Sequence, residues 1–207
     1  RILAAIDAAG VSRETIVVFF SDNGPNSQRW CGGMRGKKGS TDDGGTRSIC
    51  CIRYPGQIAS GVRLPQITGA IDLLPTLAGL TGVQLSSPKP LDGIDLTAML
   101  KEDTAEQSKS KELGLELGRR HMVASQRGRI SIRTQRFRLD DKGRLYDMLT
   151  DIGQKRDISK EQSEERERLK TIADDWKKDI LDRMPQPDVE RFPVGYAGAP
   201  LTELPAR

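Results

Sequence analysis

Six consecutive residues, Thr15-Ile16-Val17-Val18-Phe19-Phe20, are β-branched or aromatic throughout. A strand apolar on both faces belongs inside a sheet covered by helices on either side. Upstream, Ile2, Leu3, Ala5 and Ile6 fall at helical spacing, and Gly10 supplies a left-handed C-terminal cap. Helix, short loop and buried strand in that order are the alternation of a doubly wound α/β fold.

Ser21-Asp22-Asn23-Gly24-Pro25 follows the strand directly, and a glycine-rich basic loop then runs to Gly45. In open α/β sheets ligands bind just beyond the carboxyl ends of the strands. Asp22 and Asn23 put a carboxylate and an amide oxygen side by side there. Oxygen-only donors suit hard cations such as calcium or magnesium, although two cannot fill a calcium sphere of about 6–8 oxygens. Asp-Asn-Gly is equally common turn chemistry.

Arg35-Gly36-Lys37-Lys38-Gly39-Ser40-Thr41 is a second candidate. Glycines let a backbone approach an anion closely, and lysine brings a point charge to an oxyanion. The spacing differs from a nucleotide-binding P-loop: three residues separate Gly32 from Gly36, and Lys38 follows Lys37. Taken alone, the run also fits a flexible surface loop.

Further on, Ser48 to Tyr54 reads as a strand ending at the Pro55-Gly56 turn, with Cys50 and Cys51 as buried core thiols. A helix opens at Asp72 with Pro75 in its first turn and ends near Gly82, and a short one is expected over Ile94 to Leu100. Residues 101–120 are charged and read as a linker. Beyond them, Arg129 to Leu139 and Arg144 to Met148 form an antiparallel pair with a bulge near Gln135 and a turn at Asp140 to Gly143. A capping box at Ser159 and Gln162 opens a helix whose stripe holds Leu169, Ile172, Ala173, Trp176, Ile180 and Leu181. The fold class is therefore α/β followed by a small α+β subdomain of antiparallel strands and one helix. Its expected parts are 1–100, the linker 101–120, the subdomain 121–184 and a Pro- and Gly-rich extended tail 185–207.

The two candidate features and their flanks together resemble the sulfatase family, the formylglycine-dependent sulfuric ester hydrolases. That family's strand ends in Asp-Asn-Gly. Its next loop has an Arg-x-Gly-Lys-Gly-(Ser/Thr)-Thr-x-x-Gly-Gly-x-Arg core, followed by a strand closing on Pro-Gly and a helix opening Asp-Leu-x-Pro-Thr. Here Asp22-Asn23-Gly24, Arg35 through Arg47, Tyr54-Pro55-Gly56 and Asp72-Leu73-Leu74-Pro75-Thr76 stand in that order. Leu91-Asp92-Gly93 and Leu145-Tyr146-Asp147-Met148 continue the likeness more loosely. The resemblance implies the C-terminal portion of an alkaline phosphatase-like fold, with Asp22 and Asn23 as ligands of calcium or another divalent cation and Lys38 contacting the sulfate. It also implies a sulfate-ester substrate, of a sugar or an aryl alcohol, and an exported or lysosomal location.

Three departures accompany this likeness. Lys37 stands where the family often has Gly. Asp42-Asp43 stand where it often has Tyr-Glu, and because inward carboxylates would repel sulfate, both are expected to face solvent. The nucleophile motif Cys-x-(Pro/Ala)-Ser-Arg is matched neither at Cys31 nor at Cys51, so this chain carries no nucleophile and is expected to be inactive alone. Formylglycine is then expected in sequence preceding Ile2. The remaining readings are a metal-dependent phosphonate or phosphodiester hydrolase of the same superfamily, or a non-catalytic module with a decayed site.

Composition narrows the rest. The densest basic run, Arg127 to Arg144, has only Phe137 as an aromatic neighbour. It alternates with Ile130, Ile132 and Leu139, which favours the solvated outer face of a sheet over a nucleic-acid surface. No apolar run reaches the roughly 18–20 residues of a membrane span. His121, the single histidine, reads as structural or exposed.

Overall fold

A computed structural model describes residues 1–61, 63–86, 89–101 and 120–184, together with the backbone of 192–194 and 202–204. The chain divides into two compact units, Arg1–Ala173 and Asp174–Arg207.

In the first unit, helix α1 (Ile2–Ala8) ends where Gly10 takes a φ of 72° and its N–H donates to the Asp7 carbonyl. Strand β1 (Val17–Phe20) pairs antiparallel with β2 (Cys50–Arg53) in the register Val17 to Arg53 and Phe20 to Cys50. Between them lie the long loop and a one-turn helix α2 (Asp43–Thr46). Helix α3 (Leu73–Thr81) stops at Gly82, whose φ of 72° is the left-handed cap expected from sequence. Helix α4 (Thr97–Leu100) follows. Leu80, Leu96 and Leu100 form a core against which Ile16, Ile52 and Tyr54 pack.

β1 and β2 are more exposed than their sequences suggest. Phe19 is 66% exposed and Phe20 47%, and both Cys50 and Cys51 are exposed instead of buried in a core. The reason is topological: each strand has the other as its one sheet neighbour among the described residues, so only the face carrying Ile16 and Ile52 meets the helices.

The second sheet is a four-stranded antiparallel meander of β3 (His121–Gln126), β4 (Arg129–Thr134), β5 (Phe137–Leu139) and β6 (Leu145–Asp147). The bulge expected near Gln135 is a full reversal that splits one strand into β4 and β5. β3 adds a strand the sequence pattern did not reveal, with His121 exposed at its start. Helix α5 (Ser163–Asp179) covers one sheet face, where Ile132, Leu139, Leu145 and Leu169 are almost wholly buried. Ser159 does not cap it. Its hydroxyl donates to Asp157, and the helix begins four residues later.

Of the expected linker, residues 102–119 lie outside the described residues. In the second unit, the last turns of α5 lead into a 3-10 turn at Leu181–Arg183. Two short strands there, β7 (Phe192–Val194) and β8 (Thr202–Leu204), pair antiparallel. The rest of the tail expected over 185–207 lies outside the described residues.

Candidate functional site

The segment that leaves β1 turns sharply. Ser21 Oγ donates to the Asn23 carbonyl, and Ser48 Oγ donates to the Ser21 carbonyl, which ties the turn to the base of β2. Asp22 is exposed and Asn23 half-buried at this turn. Gly24 is buried because the basic loop lies directly on it: its N–H donates to the Gly45 carbonyl at 2.9 Å. A Cβ on Gly24 would stand 2.0 Å from the Gly44 oxygen, so no larger residue fits without moving the loop.

The same docking holds Lys38. Its backbone N–H donates to the Pro25 carbonyl at 2.9 Å while its side chain is exposed. The Asp22–Asn23 pair and Lys38, fifteen positions apart in sequence, are thereby joined through two adjacent backbone contacts. One carboxylate and one amide oxygen fit part of a hard-cation sphere of about 6–8 oxygens. Among the described residues no group of three or more His, Cys, Asp or Glu could hold a metal ion on its own.

The loop is fixed from its other side by the second sheet. Successive residues of a strand point to opposite faces. Opposite the apolar face packed on α5, the polar face presents Ser131, Arg133, Arg138 and Tyr146 to the loop. Ser131 Oγ donates to Thr41 Oγ1 at 2.8 Å, and Arg129 Nη2 donates to the Gly39 carbonyl at 3.1 Å. Arg138 Nη1 donates to Asp43 Oδ1 at 2.8 Å, and Arg133 Nε to Asp43 Oδ2 at 3.3 Å. Burial pulls the Arg138 guanidinium below its ordinary pKa, against the opposing pull of Asp43 and Asp42.

Arg35 is a second hub. It reaches Asp42 at 2.9 Å, Asp140 at 3.0 Å and the Tyr146 hydroxyl at 3.0 Å, and stacks over the Tyr146 ring at 4.9 Å. Burial works against its charge, but the contacts to Asp42, Tyr146 and Asp140 more than offset this and raise its pKa.

These contacts correct two expectations. Asp43 is 4% exposed instead of facing solvent, and Asp42 is half-buried against Arg35. Both carboxylates turn toward arginines, away from the exposed side of the loop. The run Arg127 to Arg144 is likewise not a solvated face throughout: Arg138 is 1% exposed. The alternation of Arg133 and Arg138 with Ile132 and Leu139 puts both arginines on one sheet face, but nothing in the sequence says that this face meets Asp43. Tyr146 supports the loop as well, through its hydroxyl on Arg35, and its place in the sequence gives no sign of that role.

Comparison with known proteins follows the same landmarks. Residues 1–83 match the family model described as Sulfatase. Arylsulfatase A of Bos taurus is 41% identical over 104 residues, which are 48% of this chain and 20% of that protein. Steryl-sulfatase of Mus musculus is 37% identical over 113 residues, 50% of this chain and 18% of that protein. The chain therefore matches about a fifth of the length of these relatives. Among solved structures, the PsFucS1 sulfatase from Pseudoalteromonas sp. superposes with a TM-score of 0.66 at 20% identity, covering 87% of this chain and 40% of that one. The resemblance to the sulfatase family and to its α/β fold is borne out.

Proposed function

Taking residues 1–83 as sulfatase-family sequence carried on a sulfatase fold, we propose that this chain supplies one half of the site of an enzyme that hydrolyses sulfate esters of sugars or aryl alcohols. Asp22 and Asn23 contribute two oxygen ligands to a calcium ion or another divalent cation. Lys38 contacts the sulfate group. The observation that carries the reading is the docking of the loop on the turn, through Lys38 N–H to Pro25 O and Gly24 N–H to Gly45 O.

The chemistry follows from charge. When bound, the cation neutralises charge on the sulfate oxygens and polarises them. Lys38 adds a compact positive charge at the same group, on a stem whose backbone is fixed by its N–H to the Pro25 carbonyl. Asp42 and Asp43 are held off the anion by Arg35 and by Arg133 with Arg138. The thiol of Cys31 is 2% exposed and donates to the carbonyls of Ser27 and Gly36, which makes it an anchor of the loop and not a nucleophile. The nucleophile, a formylglycine by family likeness, comes from sequence outside these 207 residues, and the chain alone is inactive. By family likeness the enzyme is exported or lysosomal; among the described residues no helix is long and apolar enough to cross a membrane.

The test is to assay the product of the complete gene with an aryl sulfate and the matching aryl phosphate. Turnover of the sulfate, abolished by a chelator and restored by calcium, is expected. Preferential turnover of the phosphate would favour a phosphonate or phosphodiester hydrolase, and no turnover of either would favour a non-catalytic module.

A further inference from the structure

The 3-10 turn Gln28–Trp30 carries the most exposed tryptophan in the described structure, with Trp30 at 74%. A large indole left in water is unfavourable unless something covers it. The backbone beside it is anchored. Cys31, the next residue, is buried with its thiol on the Gly36 carbonyl at 3.3 Å, and the Met34 N–H returns to the Cys31 carbonyl at 3.0 Å. Gly32 and Gly33 take φ values of 58° and 80°, which permit that immediate reversal. Trp30 thus stands one residue from an anchor that touches the loop two residues before Lys38.

Charge points in the same direction. The Arg29 guanidinium lies 5.2 Å from the centroid of the Trp30 ring. Arg29, Lys37 and Lys38 are all exposed, whereas Asp42 and Asp43 are turned to the second sheet. The solvent side of this loop is therefore cationic and bears one aromatic platform. Aromatic faces are weakly negative and attract the polarised C–H groups on one face of a sugar ring, and a guanidinium pairs with carboxylate or sulfate.

We propose that Arg29 and Trp30 form a subsite for the saccharide that carries the sulfate ester. A pyranose ring stacks on the indole, and a second acidic substituent on the saccharide pairs with Arg29. The proposal rests on the sulfatase reading, with the scissile sulfate at Lys38, and names the class of alcohol attached to it: an acidic sugar, not a neutral sterol or simple phenol.

The test uses the complete gene product in two arms. In the first, Trp176→Phe removes the other tryptophan of this chain, any further tryptophan of the complete protein is likewise replaced by Phe, and emission is followed while a heparin-derived disaccharide bearing a sulfate ester and a carboxylate is added. A saturable change that is weakened about three- to tenfold in Arg29→Ala is expected for a stacked ring with a charged partner. No change on titration, or an emission maximum typical of a buried indole before any saccharide is added, overturns the subsite. In the second arm, kcat/KM is measured for the disaccharide and for methyl sulfate. Trp30→Ala should lower the disaccharide-to-methyl sulfate ratio about three- to tenfold through KM, with part of the loss recovered in Trp30→Phe. Equal losses on both esters would make Trp30 a packing residue and overturn the proposal. If no sulfate ester is hydrolysed, the sulfatase reading fails, while the fluorescence arm still decides whether Trp30 binds a saccharide.

Discussion

Arg138 and Asp43 meet at 2.8 Å with side chains 1% and 6% exposed, 95 positions apart in sequence. This ion pair joins the second sheet to the loop that holds Lys38. Removing one partner of a buried pair leaves the other charge without compensation, which commonly costs about 3–5 kcal/mol. Asp43→Ala should therefore lower the urea midpoint by the equivalent of a few kcal/mol. Arg133 also reaches Asp43 and would be left unsatisfied by the same change. Arg138→Met, which removes the buried charge with its stem retained, should cost less. Equal destabilisation by the two variants would count against this account.

Asp140 predicts how stability depends on acid. Burial pushes its carboxyl upward, but the Arg144 N–H, the Arg35 and Arg144 guanidinia and the Lys142 N–H outweigh burial and hold it below its ordinary 3.8. A depressed folded-state pKa means that the unfolded chain binds the proton first. The stabilisation is complete above the ordinary carboxylate pKa and is lost as pH falls from there through the lower folded value. Denaturation midpoints measured between neutral pH and strong acid should fall over that window in the wild type, and fall less in Asp140→Asn.

How much of this was legible in the sequence depended on the range of each interaction. Gly10 and Gly82 announce the ends of α1 and α3, because a helix cap is decided within a few residues. The Asp-Asn-Gly turn and the glycine-spaced basic loop are readable for the same reason, and their order carries the resemblance to the sulfatase family. The burial of Asp43 was not readable, because its partners lie on strands about 90 residues later. Hydropathy showed that Phe19 seeks cover but not whether the described residues provide it, and in this structure they leave it 66% exposed. β3 is not legible because His121-Met122-Val123-Ala124-Ser125-Gln126 barely alternates, its strand state being set by pairing with β4.

Gly24 and Gly45 test the docking of the loop on the turn. A Cβ at Gly45 would lie 2.3 Å from the Ser40 oxygen and 2.6 Å from the Lys37 oxygen, all backbone atoms of the same loop. Gly24→Ala and Gly45→Ala should each displace the loop, destabilise by about 1–3 kcal/mol as overpacking does, and raise amide exchange at Lys38 and Gly24. Gly10→Ala meets nothing within 4 Å and should leave those two amides protected, whatever strain its positive φ adds locally.

Lys38, Asp22 and Asn23 separate two contributions at the proposed site. Lys38 is anchored through its backbone, so Lys38→Ala removes the ammonium while the Pro25 hydrogen bond persists. In the complete gene product this should lower kcat on a sulfate ester about a hundredfold or more, the usual consequence of deleting one preorganised charge contact, with little change in thermal midpoint. Asp22→Ala and Asn23→Ala should instead weaken calcium binding measured by titration calorimetry, Asp22→Ala more because it removes a full charge. Activity in these two variants should return in part at high calcium, whereas Lys38→Ala should not respond. Rescue of Lys38→Ala by calcium, or an unchanged calcium affinity in Asp22→Ala, would contradict the division of roles.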